Sequence, residues 1–378
     1  MLDDKALLQS PVPGVELKFV HVNGVRLRVA SAGPSTGDLV LFVHGWPECW
    51  FSWRHQMLAV AKQGFLAVAP DLRGFGASDA PLRREAYDCA TVCADMVALL
   101  RQEFDRESCL LVGHDWGAVL AWHLCLLEPT RFLSVCSMSV PPSHQAKASP
   151  FTGFRKLFGT GDTGTFYYIM YHNETVNEDG SAANSFGDSA TTDNGLAEIE
   201  YDNDVEGLLR RLYFLGNQSS VASLPHAEAS VKTNKRGDGN RAGFIPRMPD
   251  VLACPEWLPK PEFDYFVQQY RHSGFRGGVN LYRNLERNYM LMQPFRNTKI
   301  SQPALFIAGT DDMVVIGSGG VDKCRGIVHR MTSDCQCIFL PDTGHWCQQE
   351  KSSEVNTELL KFLRKTRHLL GSKGSSRL

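Results

Sequence analysis

Cys109-Leu-Leu-Val-Gly-His-Asp-Trp-Gly-Ala-Val-Leu120 is the stretch on which the fold turns. Residues 109–112 are a short, wholly apolar run, the mark of a strand buried on both faces. Residues 118–127 read as a helix stopped before Pro129. The join between them is Gly113-His114-Asp115-Trp116-Gly117. This fits the strand–turn–helix pattern G-x-nucleophile-x-G, with Asp where serine is the commoner nucleophile. The glycines have a steric reason: so sharp a turn leaves no room for a Cβ on either side. The helix that starts there aims its free N–H groups at the carboxylate. A carboxylate is already ionised at neutral pH, so it needs no base to attack. Taken alone, a G-x-D-x-G match is more often an Asp capping a helix, so the surroundings must decide.

Working outward, residues 15–22 and 25–30 alternate apolar with polar and are joined by Asn23-Gly24, a strong hairpin signal. Residues 39–43, 66–69 and 132–138 read as buried strands, with helical stretches up to Gly64 and over 91–104 between them. Strand, helix, strand at this spacing predicts a parallel sheet covered on both faces. The rhythm breaks after Val140-Pro141-Pro142. Residues up to about 297 are rich in helix formers and aromatics, and 177–194 read as a polar surface loop. Alternation resumes with strands at 304–308 and 337–339 and a helix over 353–370. The economical reading is one sheet domain, 1–139 and 300–378, interrupted by a helical insertion at 140–299.

The size and charge narrow the classes of function. The chain has 378 residues, enough to bury a large core without staples. Lys and Arg number 39 and Asp and Glu 41, a formal charge of −2. That balance argues against a nucleic-acid or polybasic membrane surface. No apolar run reaches the 18 or so residues of a membrane span. The N-terminus has no signal-like pattern. Eleven scattered cysteines, none in a CxxC, read as reduced thiols. Cys335-Gln-Cys337 lacks the partners of a zinc finger. The expected location is the cytoplasm. Ser376-Arg377-Leu378 is a variant of a peroxisomal address, with a chance ending as the alternative.

Three more stretches carry chemistry. His44-Gly45-Trp46-Pro47 follows a strand, where a loop N–H can complete an oxyanion hole with the N–H after the nucleophile. These would be Trp46 and Trp116, with Trp46-Pro47 expected to be cis. Asp312 and His345 follow the strands at 304–308 and 337–339. The chain order is therefore nucleophile, acid, histidine: Asp115, Asp312, His345. Asp311 is the rival for the acid. All three lie just beyond C-terminal strand ends, where open α/β sheets place their sites. Asp71-Leu-Arg-Gly-Phe-Gly-Ala-Ser78 lacks the third glycine of a dinucleotide loop and reads as a structural turn.

With these residues in view, the chain resembles the cap-bearing soluble epoxide hydrolases of the α/β-hydrolase superfamily. The resemblance runs from about Val15 to the C-terminal helix. It is carried by the segment from His44 to Gln56, by 71–78, by Gly113–Gly117 and by Thr343-Gly-His-Trp346. In the insertion, Ser273-Gly-Phe-Arg-Gly-Gly-Val-Asn-Leu-Tyr-Arg-Asn284 is similar to the segment bearing one catalytic tyrosine, here Tyr282. Phe166-Tyr-Tyr-Ile-Met-Tyr-His172 is similar to the segment bearing the other. Tyr168 is the best match there, with Tyr167 and Tyr171 as neighbouring registers. The chain departs from the family at Tyr171-His172-Asn173, Gly278 and Leu281.

The resemblance implies an α/β-hydrolase fold, a mostly parallel sheet with an inserted helical cap. It implies hydrolysis of an epoxide to a vicinal diol: Asp115 as nucleophile, Tyr168 and Tyr282 as donors to the epoxide oxygen, His345 as general base oriented by Asp312. Trp46 and Trp116 would form the oxyanion hole. Glu48 is expected either to position water or to lie on the surface. Trp116, Phe154, Met290 and Met292 would line a pocket for a small apolar epoxide, lipid-derived or aryl, worked on with water. No metal or organic cofactor is implied, and the chain would be a monomer or homodimer. The rivals are a haloalkane or haloacid dehalogenase using the same Asp, and a homologue that binds without turnover.

Overall fold

The computed structural model describes residues 3–159, 166–173, 195–217 and 243–371, with the backbone of 175–176 and 182–183. The loop read at 177–194, apart from two residues, and the terminal Ser376-Arg377-Leu378 lie outside the described residues. Eight strands form one sheet: β1 Glu16–Val22, β2 Val25–Ala32, β3 Asp38–Val43, β4 Phe65–Pro70, β5 Cys109–His114, β6 Phe132–Met138, β7 Ala304–Gly309 and β8 Cys335–Leu340. Their order is β1-β2-β4-β3-β5-β6-β7-β8. β1 pairs antiparallel with β2, and β2 with β4; every later pairing is parallel. In the β1–β2 turn, Asn23 and Gly24 have φ of 49° and 75°, the double left-handed geometry that makes Asn-Gly the natural hairpin pair. β4, β5 and β7 are buried at every residue, as strands inside a sheet covered on both faces must be.

Helices cover the core sheet: α1 Arg54–Ala61, α2 Cys89–Ala98, α3 Trp116–Leu127, and later α10 Val321–Met331 and α11 Ser352–Thr366. α3 is apolar around most of its circumference because it is packed on nearly all sides, with only Val119 and Leu127 less than fully buried. The predicted helix over 91–104 starts two residues earlier. Its Asp88 cap accepts from the Thr91 amide, and past Ala98 the backbone widens into a π turn, Leu99–Glu103. All eleven cysteines are unpaired thiols, eight of them buried. Among the described residues no helix is long and apolar enough to cross a membrane.

Between β6 and β7 the described chain is mainly helical, with one short antiparallel pair, Thr175–Val176 and Ala182–Ala183: α4 Pro150–Phe158, α5 Leu196–Asn203, α6 Val205–Leu215, α7 Lys260–Ser273, α8 Arg276–Arg283 and α9 Leu285–Leu291. A one-turn helix, Tyr168–Tyr171, lies between α4 and α5. Buried polar bonds seat this insertion on the sheet domain. Arg28 donates to Asp71 and, at 2.5 Å, to Gln269 of α7. Arg54 pairs with Glu262 at 2.5 Å. The Tyr213 hydroxyl donates to the Pro47 carbonyl at 2.6 Å. Arg28 and Asp71 are almost wholly buried, and losing one member of such a pair typically costs about 3–5 kcal/mol. Asp71 also accepts from the Trp50 and Ala77 amides, so 71–78 is the structural turn it was read as. Two glycines complete the seating of α8. A Cβ on Gly277 would lie 2.4 Å from the Gly74 carbonyl oxygen, and one on Gly278 would lie 2.1 Å from the Trp46 ring.

Candidate active site

Asp115 sits between the last residue of β5 and the first of α3, with φ 53° and ψ −119°. A non-glycine residue at such angles is strained, and strain of this kind concentrates at functional sites. The flanking glycines permit it. A Cβ on Gly117 would stand 1.9 Å from the Val43 carbonyl oxygen, and one on Gly113 would stand 2.3 Å from that of Gly117. The turn lifts the carboxylate above the ends of β3 and β5. There the Trp46 amide donates to Asp115 Oδ1 at 2.8 Å. The Trp46-Pro47 peptide is cis. Trp116 supplies the first N–H of α3.

His345 lies in the loop after β8, and its Nε2 is 3.6 Å from Asp115 Oδ2. Its Nδ1 faces Asp312 Oδ1 at 3.0 Å. Asp312 caps the short helix Met313–Gly317, accepting from the Val314 amide. Asp311 Oδ1 accepts from the Thr310 hydroxyl at 3.2 Å, while the carboxylate 3.0 Å from the imidazole is that of Asp312. The loop is tied from two sides. Glu350 accepts from the Gly344 and Trp346 amides, and the His345 amide donates to the Gly216 carbonyl of the insertion.

The charges are strongly coupled. Burial opposes a charged His345, but Asp312, and then Asp115, outweigh it and push the imidazole well above its usual range. Burial likewise works against the Asp312 carboxylate, yet His345, Ser139 and the Val314 amide hold it below the ordinary range. Both neighbouring acids thus favour the protonated form of the imidazole. Esterifying Asp115 would remove one of those charges and lower the histidine, turning it into a base when water must be activated. Ester formation should thus be nearly independent of pH through neutrality. Ester hydrolysis should fall on the acid side, with a midpoint below the pKa of His345 in the free protein. Stopped-flow single turnovers across pH resolve the two steps; coincident profiles would contradict this assignment.

The insertion brings two phenols over the carboxylate. Tyr282 of α8 stands edge-on to Trp116 at 5.0 Å and to Trp46 at 5.6 Å between ring centroids. Tyr168 meets Tyr282 at 5.8 Å. Burial first, then a neighbouring tyrosine (Tyr167 for Tyr168, Tyr168 for Tyr282) and the Asp115 carboxylate, push both hydroxyls well above the phenol range, so both keep their protons. Of the neighbouring registers, Tyr167 stacks on Phe158 at 4.2 Å, and Tyr171 turns toward Glu200 and Phe166.

Some expectations need correction. Met290 is 66% exposed and lies in a surface groove with Arg84, Glu85 and Arg287, so it does not line a pocket over Asp115. In α9 its side of the helix faces solvent, and the apolar character that suggested a pocket is a surface methionine. Phe154 packs on Tyr167, one ring removed from Tyr168. Met292 is buried. Glu48 is wholly buried rather than on the surface. It accepts from the Gly45 amide and from Gln348, and stands 2.8 Å from His114 Nδ1. Burial would raise its carboxyl, but His114 holds it down to about 2. His114 Nε2 faces the His345 carbonyl at 2.8 Å, so both ring nitrogens meet acceptors.

Ser139 and His172 were not singled out. The Ser139 hydroxyl lies 2.9 Å from His345 Nδ1, one residue past the end of β6, with φ 70°. Its position at a parallel strand end was the available signal. His172 is buried edge-on to Tyr282 at 4.6 Å, and its Nε2 meets the Tyr201 hydroxyl at 2.9 Å. Its signal was the departure from the family at 171–173.

The alpha/beta hydrolase fold family matches residues 38–352. Epoxide hydrolase A of Mycobacterium tuberculosis is 35% identical over 92% of this chain and 96% of its own length. This chain belongs to the epoxide hydrolases of the α/β-hydrolase fold. Epoxide hydrolase 2 of Siraitia grosvenorii is 31% identical over 93% of this chain and 99% of its own. Among solved structures, epoxide hydrolase A from Mycobacterium thermoresistibile superposes with a TM-score of 0.78 at 35% identity, covering 93% of this chain and 98% of that one.

Proposed function

We propose that this chain hydrolyses an apolar epoxide to a vicinal diol through an ester on Asp115. The observation that carries the reading is the pair of phenols beside the Asp115 elbow, Tyr282 buried and edge-on to Trp116 at 5.0 Å, and Tyr168 partly buried and edge-on to Tyr282 at 5.8 Å. Asp115 attacks an oxirane carbon from the side opposite the C–O bond that breaks. The alkoxide that leaves is a poor leaving group, and the two phenols stabilise and protonate its oxygen. A halide would need no proton, which is why the tyrosine pair favours an epoxide over a haloalkane. His345 then takes a proton from water, and that water attacks the carbonyl carbon of the Asp115 ester. The Trp46 amide, already 2.8 Å from Oδ1, and the Trp116 amide receive the resulting oxyanion. Collapse expels the ester oxygen, which takes the proton of the added hydroxyl, so that the diol leaves and the carboxylate is restored; the proton on His345 returns through solvent to the phenolate.

The test is incubation with a styrene-type epoxide and a fatty-acid epoxide, with chromatographic assay for diol. Diol from either supports the reading. No diol from either, with halide released from chloroalkanes, would replace it with the dehalogenase. The phenol assignment has its own check. Tyr282→Phe keeps a ring that is 5% exposed and loses one donor. Ester formation should slow by about 10²-fold, the usual cost of one oxyanion donor. Ester hydrolysis should change little. A loss confined to hydrolysis would remove Tyr282 from the ring-opening step.

A further inference from the structure

A second cluster of reactive groups lies at the far edge of the sheet. β8 is the outermost strand, hydrogen-bonded only to β7. Strand alternation puts Cys335, Cys337 and Phe339 on one face. Helix α10 packs on that face: Arg325 lies over the Phe339 ring at 5.2 Å, and His329 Nε2 is 3.5 Å from Cys337 Sγ. Cys335 and Cys337 are half-buried, whereas the inner-strand thiols Cys109 and Cys136 are fully buried.

The two thiols have different partners: Cys335 Sγ donates to the Gln336 carbonyl at 3.5 Å, whereas Cys337 Sγ faces the His329 imidazole. The nearness of Cys335 is the largest influence on Cys337, and with help from His329 and Arg325 it overcomes partial burial and brings Cys337 down to about 7. Cys335 keeps the proton and is pushed up. The other nine thiols are all raised, with burial as the first cause. Cys337 is thus the one cysteine of eleven set up as a thiolate at neutral pH, and a protonated thiol stands beside it.

We propose that Cys337 is a hydroperoxide-reactive thiolate and Cys335 its resolving partner, together forming a reversible disulfide at the edge of the sheet. The Cys337 thiolate attacks the terminal peroxide oxygen. An S–O bond forms, the O–O bond breaks, and the departing alkoxide or hydroxide takes a proton from solvent. The Cys335 sulfur then attacks the sulfenyl sulfur. An S–S bond forms, the S–O bond breaks, and hydroxide leaves with the Cys335 proton as water. Two thiols are oxidised by two electrons in total, and one peroxide is reduced. Alternate strand residues are about 6.6 Å apart at Cα, near the upper limit for a bridge. An edge strand paired on one side can yield the remainder, and a thiol reductant should reopen the bridge.

The test starts with the reduced, unsubstituted protein. Iodoacetamide should label Cys337 first among the eleven, with half-maximal rate below pH 8, and His329→Asn should move that midpoint upward. Hydrogen peroxide should give a peptide-mapped Cys335–Cys337 disulfide that dithiothreitol reverses. In Cys335→Ser, oxidation should stop at a sulfenic acid on Cys337 that dimedone captures. The proposal is overturned if Cys337 labels no faster than the half-buried Cys254. It is equally overturned if another cysteine oxidises first, or if peroxide takes Cys337 to the sulfinic acid without a bridge.

Discussion

Replacing His345 with glutamine should leave the protein carrying one equivalent of substrate on Asp115, seen as an intact-mass increase equal to the whole epoxide. Ring opening expels no fragment, so every atom of the substrate stays attached. Glutamine can keep a polar contact with Asp312, which lies 3.0 Å from the native ring, but it cannot take a proton from water. The Asp115 carboxylate, with its Trp46 amide contact, remains able to attack. Steady-state turnover should fall by about 10³-fold or more, in the range lost with a general base, while the first turnover still proceeds. Peptide mapping should place the adduct on the tryptic segment containing Asp115. A folded variant that shows no mass increase with substrate present would dismantle the two-step scheme. A mass increase lacking a leaving group would point to a displacement such as dehalogenation.

Asp115→Asn should abolish both steps. The amide is nearly the same shape and can still accept from the Trp46 N–H, so packing at the elbow should survive. It has no negative charge with which to open an unactivated three-membered ring. Losses of up to about 10⁶-fold are known when one member of a concerted catalytic set is removed. No ester should form in single turnovers, and no mass adduct should appear when His345→Gln is added. The double variant should be no slower than Asp115→Asn alone, because residues acting in sequence on one intermediate do not add. Intact mass also verifies that the amide has not reverted to the acid. Diol formation at more than about a thousandth of the native rate by a verified amide would mean that another group performs the attack.

Much of this architecture was legible because backbone and steric rules act locally. Asn23-Gly24 demands a hairpin, and apolar runs such as that of β5 demand burial on both faces. The glycines around Asp115 demand a turn with no side chain beside it. Strand ends then placed Asp115, Asp312 and His345 without any knowledge of their distances. Other features depend on contacts between segments far apart in sequence. Which of Tyr167, Tyr168 and Tyr171 meets Tyr282 depends on the rotation of a single helical turn, and three tyrosines in five residues carry no periodic signal. Met290 and Met292 differ by two residues and face opposite environments, which composition cannot separate. For Glu48 the sequence leaves a water-positioning and a surface role open, because His114, Gln348 and the Gly45 amide converge on it only in the fold. Ser139 adopts a left-handed backbone angle that its residue type does not advertise.

The bare backbone of Gly277 and Gly278 has a consequence for the geometry of the reaction. These residues precede Tyr282 by about one turn on the same helix, and both abut the sheet domain where a single methyl would collide. The height of the phenol above the acid is thus gauged by two absent side chains. Bulk restored at either position would tilt the whole rod and shift the Tyr282 phenol relative to the Asp115 elbow. The tolerance of the chemistry is therefore written where nothing reactive resides, in a steric stop against Gly74 and the indole of Trp46.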